Sequence, residues 1–133
     1  MAAPTQPEID RLAAAPVAAG KLLINGAWVA GEAGETVVLS PINGQPLTTT
    51  AAASAADVGR AVASARAVFE SGVWSRMPPA GRKAVLHRLA DLIDKNSLEL
   101  AVLGVRDNGT DIGMALKAEP GSAAGTFRYY AEA

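Results

Sequence analysis

Apolar residues between Trp74 and Gly109 recur at three- and four-residue steps. Val85, Leu86, Leu89, Leu92 and Ile93 form one stripe, while Arg82, Lys83, Arg88, Asp91, Asp94 and Lys95 fall mostly opposite. That spacing is the signature of an amphipathic helix. Pro78 and Pro79 suit its entry, because proline lacks an N–H that the first turn leaves unpaired anyway. Asn96, with Glu99 three positions on, reads as the cap of a second helix through Leu98, Leu100, Ala101 and Leu103. Asp107-Asn108-Gly109 closes it, since Asn and Gly tolerate a left-handed backbone. A helical hairpin is therefore expected at the centre of the chain.

The first third carries shorter, strand-like runs. Leu22 to Val29 is a hairpin signal, because Asn25-Gly26 supplies both positive-φ positions of a type I′ turn. Thr36-Val37-Val38-Leu39 is β-branched and apolar, Ser40 to Pro46 turns the chain, and Leu47-Thr48-Thr49-Thr50 favours extension. Ser54-Ala55-Ala56-Asp57 has capping-box spacing, so a helix should follow with Val58, Val62, Ala65 and Phe69 on one face, ending near Ser71-Gly72. Beyond Gly109, Ile112, Met114, Ala115 and Leu116 are expected to form one or two turns. Pro120 should then start a last helix through Phe127, Tyr129 and Tyr130 that has no Gly, Asn or Pro to close it. The expected fold is α+β: short antiparallel strands followed by about five helices. Residues 1–20 read as a loosely ordered leader with room for a short helix around Ile9 to Ala15, and residues 21–133 as the folded part.

Composition removes several functions. The chain has 133 residues and a net charge of -1, which gives no reason to expect nucleic acid or an acidic membrane as partner. It has no cysteine and one histidine, His87. Disulfides, thiolate metal ligands, a cysteine nucleophile and histidine-pair sites are all excluded. No apolar run approaches the roughly 20 residues of a membrane span. Glu8 and Asp10 precede Arg11 with no apolar block after them, so no signal peptide is expected. A soluble, cytoplasmic protein is the default. His87 stands among Lys83 and Arg88 and reads as a solvated side chain rather than an anion contact. Gly31 to Gly34 lacks a strand-to-helix context, so it is rejected as a phosphate loop.

A family resemblance gathers these segments. Ile24-Asn25-Gly26-Ala27-Trp28, Ser40-Pro41-Ile42-Asn43-Gly44, Ala65-Arg66-Ala67-Val68-Phe69, Trp74, Arg82, Leu89-Ala90-Asp91-Leu92-Ile93, Asp107-Asn108-Gly109 and Arg128-Tyr129-Tyr130-Ala131 appear in order. In spacing they resemble the amino-terminal portion of NAD(P)-dependent aldehyde dehydrogenases, over residues 21–133. Within the superfamily the look is nearest the betaine-aldehyde and γ-glutamyl-aminobutyraldehyde enzymes.

The resemblance implies the outer, first-built part of a cofactor domain that is α/β when complete, ahead of its parallel sheet. Family catalysis uses a cysteine that attacks the aldehyde, hydride transfer to the nicotinamide, and a glutamate that helps hydrolyse the thioester. An asparagine in a Trp-Asn-Phe-Pro segment and a Gly-Ser-Thr-containing cofactor loop complete it. None of these has a counterpart here, so no catalytic or cofactor-binding residue is assigned. NAD or NADP is implied only for the complete enzyme.

The resemblance also carries over two candidate sites. A monovalent cation would be held by backbone carbonyls of Val38 and Leu39 and by Asp107, oxygen ligands suited to a hard cation. The plainer alternative is that Asp107 bonds its own turn. Ala118, Ser122 and Gly125 would line the mouth of the aldehyde channel, or else simply allow close helix packing. Trp28, Trp74, Tyr129 and Tyr130 read as core or interface anchors. The chain departs from the family where Gly104-Val105 replaces Glu-Thr and Thr110-Asp111 replaces Lys-Pro. A mid-helix glycine costs about 1 kcal/mol against alanine, which points to drift from an active parent.

Two readings follow. The chain is the inactive amino-terminal piece of an aldehyde dehydrogenase, whose partner is the remainder of the enzyme or identical subunits in an oligomer. Alternatively it is a stand-alone helical module that docks on a protein partner through its apolar stripes.

Overall fold

Asn25 and Gly26 both take positive φ, 51° and 76°, and so close the tight hairpin that their side chains predict. Strand β1 (Leu22–Ile24) pairs antiparallel with β2 (Ala27–Val29), Leu23 opposite Trp28. In the same way β3 (Glu35–Leu39) pairs with β4 (Pro46–Ala51). The register shifts between Val38 and Leu39, whose partners are Thr48 and Pro46. Gly20 adds a short parallel bridge to Thr50, and the Thr48 hydroxyl donates to the Ala18 carbonyl.

This computed structural model describes residues 3–133. It divides into two units, one made of Val17–Leu39 and Gln45–Met77, which holds both hairpins and helix α2 (Ala55–Ser71). Ser54 caps α2 as its spacing predicts, accepting the Asp57 N–H at 3.1 Å, and Gly72 ends it in the left-handed conformation. No apolar side chain of this unit is buried.

The other unit comprises the segment ending at Pro16, Ser40–Gly44 and Pro78–Ala133. Its helices are α1 (Gln6–Ala14), α3 (Pro79–Lys95), α4 (Ser97–Asn108) and α5 (Ile112–Glu132). Helix α5 packs against both α3 and α4. The buried apolar residues are small: Ala90, Ala101, Val102, Ala115 and Ala124. The α+β class with five helices and short antiparallel strands is as expected.

Four details differ from the sequence pattern. The short helix expected around Ile9 to Ala15 is present as α1 but starts sooner, at Gln6, because the Glu8 carboxylate accepts the Thr5 N–H and hydroxyl at 2.7 Å each. Its far end is held where Arg106 donates to the Ala15 carbonyl at 2.7 Å. Asn96 does not cap α4 with its side chain; it donates to the Leu92 carbonyl at 2.7 Å and so serves the end of α3.

The third difference is Pro120, which lies buried inside one continuous α5 rather than starting a helix. Asp111 accepts the Met114 N–H and begins that helix eight residues sooner than Pro120 would. An interior proline loses one hydrogen bond and costs about 3 kcal/mol, set here against the burial of Pro120 in a helix that packs on both α3 and α4. Finally, of the core and interface roles expected for Trp28, Trp74, Tyr129 and Tyr130, the core role is not met within this chain, where they are 67%, 43%, 70% and 64% exposed.

Candidate functional site

Asp57 is the largest fully buried side chain among the described residues, and nothing in its own segment predicts that beyond the cap. Its Oδ2 accepts the N–H of Glu32 at 2.9 Å and of Ser54 at 2.8 Å, and its Oδ1 accepts from Arg60. Arg60 also pairs with Glu32 at 2.7 Å, and the Ser54 hydroxyl donates to the same carboxylate. The Glu32 N–H is the main reason the Asp57 carboxyl lies below the usual aspartate range, followed by that of Ser54. Arg60 is held above its ordinary value, first by the hydrogen bond to Glu32. The network is saturated, so it is a structural clasp and not a reactive centre.

Directly beside the clasp, α2 and β1 enclose an open apolar groove of about 200 Å³, lined among others by Leu22, Ile24, Ala61 and Val62. Its wall continues along α2 through Val58, Val62, Ala65 and Phe69, with Arg66 lying 5.6 Å from the Phe69 ring centre.

In the helical unit, α5 carries the residues assigned to a channel mouth. Ala118, Ser122 and Gly125 all lie on one exposed line of that helix, and Met114 and Tyr129 extend it. The Ser122 carbonyl accepts from the Thr126 hydroxyl at 2.9 Å. The last turns of α5 are tied to α3 by ion pairs. Arg128 reaches Asp91 at 2.8 Å and Asp94 at 2.7 Å, while Glu132 pairs with Lys83 at 2.7 Å and His87 at 2.9 Å. His87, read as solvated, thus has a carboxylate partner. Lys83 is the larger cause, ahead of His87, of the lowered Glu132 carboxyl value.

The three candidate cation ligands sit in different units. Val38 and Leu39 flank the register shift of β3, where the regular ladder is interrupted. Asp107 is exposed in the last turn of α4. The turn that follows is bonded by Asn108, whose Oδ1 accepts the Thr110 N–H at 2.7 Å. Gly104, the departure inside α4, is matched by a distant residue, since a Cβ there would lie 2.5 Å from the Glu119 carboxylate.

Comparison with known proteins follows this geometry closely. The model of the Aldehyde dehydrogenase family matches residues 28–133. Mitochondrial 10-formyltetrahydrofolate dehydrogenase of Mus musculus is 43% identical over 109 residues, covering 81% of this chain and 12% of that protein. The NADP/NAD-dependent aldehyde dehydrogenase PuuC of Escherichia coli is 42% identical over 114 residues, covering 85% of this chain and 23% of that protein. Among solved structures, γ-glutamyl-γ-aminobutyraldehyde dehydrogenase from Burkholderia cenocepacia superposes with a TM-score of 0.89 at 35% identity, over 95% of this chain and 26% of its own. An indole-3-acetaldehyde dehydrogenase complexed with NAD+ gives 0.91 at 35% identity, over 98% and 26%. The chain therefore spans from 12% to 26% of the length of these relatives. With a family match running from Trp28 to the last residue, this chain belongs to the aldehyde dehydrogenase family.

Proposed function

We propose that these 133 residues are the amino-terminal share of an NAD(P)-dependent aldehyde dehydrogenase, an enzyme that oxidises aldehyde to carboxylate, and that they are catalytically inert alone. One observation carries the reading: membership of a family whose nucleophile is cysteine, in a sequence that contains none. Gly31–Gly34 leads into strand β3 and not into a helix, so it lacks the N-terminal amides that hold a pyrophosphate. The dinucleotide is accordingly assigned to residues outside this chain.

The partner in this reading is the remainder of an aldehyde dehydrogenase or identical subunits, in the cytoplasm. Within the whole enzyme the carbonyls of Val38 and Leu39 and the carboxylate of Asp107 would supply oxygen ligands to a monovalent cation. Ala118, Ser122 and Gly125 would border the aldehyde entrance, where small side chains on an exposed helix line leave room for substrate.

The test is complementation. A second polypeptide that begins near the family's Trp-Asn-Phe-Pro segment and carries the cysteine is assayed for NADH formation with an aldehyde, with and without this chain. A rate above that of the second polypeptide alone supports the reading. No gain in rate, together with a sharp thermal melt and no binding of an apolar dye by this chain, would favour a stand-alone docking module.

A further inference from the structure

Three of the four asparagines, Asn25, Asn43 and Asn108, stand directly before a glycine. Such a pair can lose its side-chain amide without an enzyme, because the glycine nitrogen can attack the asparagine carboxamide and no Cβ blocks its approach. The attacking nitrogen must first give up its proton. A hydrogen bond that occupies this N–H therefore protects the pair, as it protects an amide from exchange.

Hydrogen bonding separates the three pairs. The Gly44 N–H donates to the Ser40 carbonyl at 2.8 Å, and the Gly109 N–H donates to the Val105 carbonyl at 2.9 Å. Asn108 is held further, since its Oδ1 accepts the Thr110 N–H at 2.7 Å and the Pro41 ring would lie 3.3 Å from a Cβ on Gly109. Asn25-Gly26 differs. The pair is the whole loop between Ile24 and Ala27, which face each other across the hairpin, so the Gly26 N–H lies outside the ladder. Both residues are exposed. Neither the Asn25 carboxamide nor the Gly26 N–H has a hydrogen-bond partner among the described residues, and a Cβ on Gly26 would meet nothing within 4 Å.

We infer that Asn25 is a site of spontaneous deamidation, through a cyclic imide closed by the Gly26 nitrogen, and that the fold shields Asn43 and Asn108 from the same reaction. A solvent base takes the Gly26 amide proton, the nitrogen bonds to Cγ of Asn25, and the Cγ–Nδ2 bond breaks with Nδ2 leaving as ammonia. Water then opens the imide. Cleavage at Cγ gives aspartate, whereas cleavage at the main-chain carbonyl gives isoaspartate, with the chain running through Cβ and Cγ. In sum, an amide and water become a carboxylic acid and ammonia, and nothing is oxidised or reduced. Water is the sole co-reactant, so the inference is independent of the function proposed above. Isoaspartate adds a backbone atom to a two-residue turn that joins strands of three residues each, and so unpairs Ile24 from Ala27.

The full chain is incubated in mildly alkaline buffer, with and without unfolding urea. Mass spectrometry of peptides cut after glutamate follows each asparagine, because Glu32 and Glu35 separate Asn25 from Asn43. Labelling by an isoaspartyl methyltransferase detects the rearranged product. In the folded chain Asn25 should convert about tenfold or more faster than Asn43 or Asn108, the factor that one occupied hydrogen bond is worth. In urea the three rates should converge. Equal rates in the folded chain overturn the inference, and so does conversion of Asn25 only in urea, which would show that the hairpin protects it. A preference for Asn25 that persists undiminished in urea also overturns it, by assigning the difference to neighbouring sequence and not to the fold.

Discussion

The Asp57 carboxylate accepts the backbone N–H of Glu32 across 25 residues of sequence, at 2.9 Å, while also capping its own helix. One buried side chain thereby joins the loop before β3 to the start of α2. Replacing it with alanine strands the Glu32 and Ser54 amides and leaves Arg60 with Glu32 as its remaining carboxylate partner. Asp57→Ala should lower Tm by about 4 °C or more, and Asp57→Asn, which keeps one acceptor oxygen, by less. Thermal melts followed by circular dichroism measure both.

The same group sets an acid limb. Its folded value is lowered from 3.8, so its contribution to stability is whole above that pH and disappears as pH falls through the lower folded value. Denaturant midpoints collected down the acid range should fall for the parent chain. In Asp57→Asn the fall should be shallower, and an unchanged slope would show that other carboxyls, such as Glu8 and Glu132, govern the limb.

Gly104 and Gly31 should respond in opposite directions to alanine. A Cβ at Gly104 meets only the mobile end of Glu119, so Gly104→Ala should keep most of the helix-propensity gain of about 1 kcal/mol. At Gly31 the added Cβ lies 2.1 Å from the Ala52 carbonyl oxygen, part of the backbone. Gly31→Ala should destabilise by about 1–3 kcal/mol, the usual penalty for forcing atoms into a packed contact. Urea titrations of the two variants decide the signs.

Arg106 holds the carbonyls of Leu12 and Ala15 at 3.4 and 2.7 Å. Losing a charge-assisted pair of this kind should speed amide exchange in Gln6–Ala14 about tenfold. Arg106→Ala is the test variant, read by hydrogen exchange resolved along the sequence. Arg106→Lys should restore part of the protection, since one ammonium reaches fewer acceptors than a guanidinium fork.

Much of the architecture is legible locally. The Asn25-Gly26 turn, the Ser54 cap, the Pro78-Pro79 entry and the Gly109 stop each depend on the backbone preferences of one or two residues, and all appear as the residue types predict. Asn96 misled because its side chain had two possible bonding partners a few residues away, and the Leu92 carbonyl took it. Pro120 misled because its intrinsic cost opposes the helix while the burial set against it comes from packing on α3 and α4. Ala118, Ser122 and Gly125 share one face of α5 in a four-and-three spacing, but it was the family resemblance, not that spacing, that singled them out.

Periodicity along the chain was enough to specify the strands, helices α2, α3 and α4 and their apolar stripes, since each depends on contacts within a few residues. The order and spacing of the segments from Ile24 to Ala131 likewise carried the family. It was three-dimensional packing that chose which stripes are covered, gave Asp57 its partner in Glu32, and anchored α1 on Arg106. Burial and long-range hydrogen bonds depend on which distant atoms arrive beside a residue, and no local pattern encodes that.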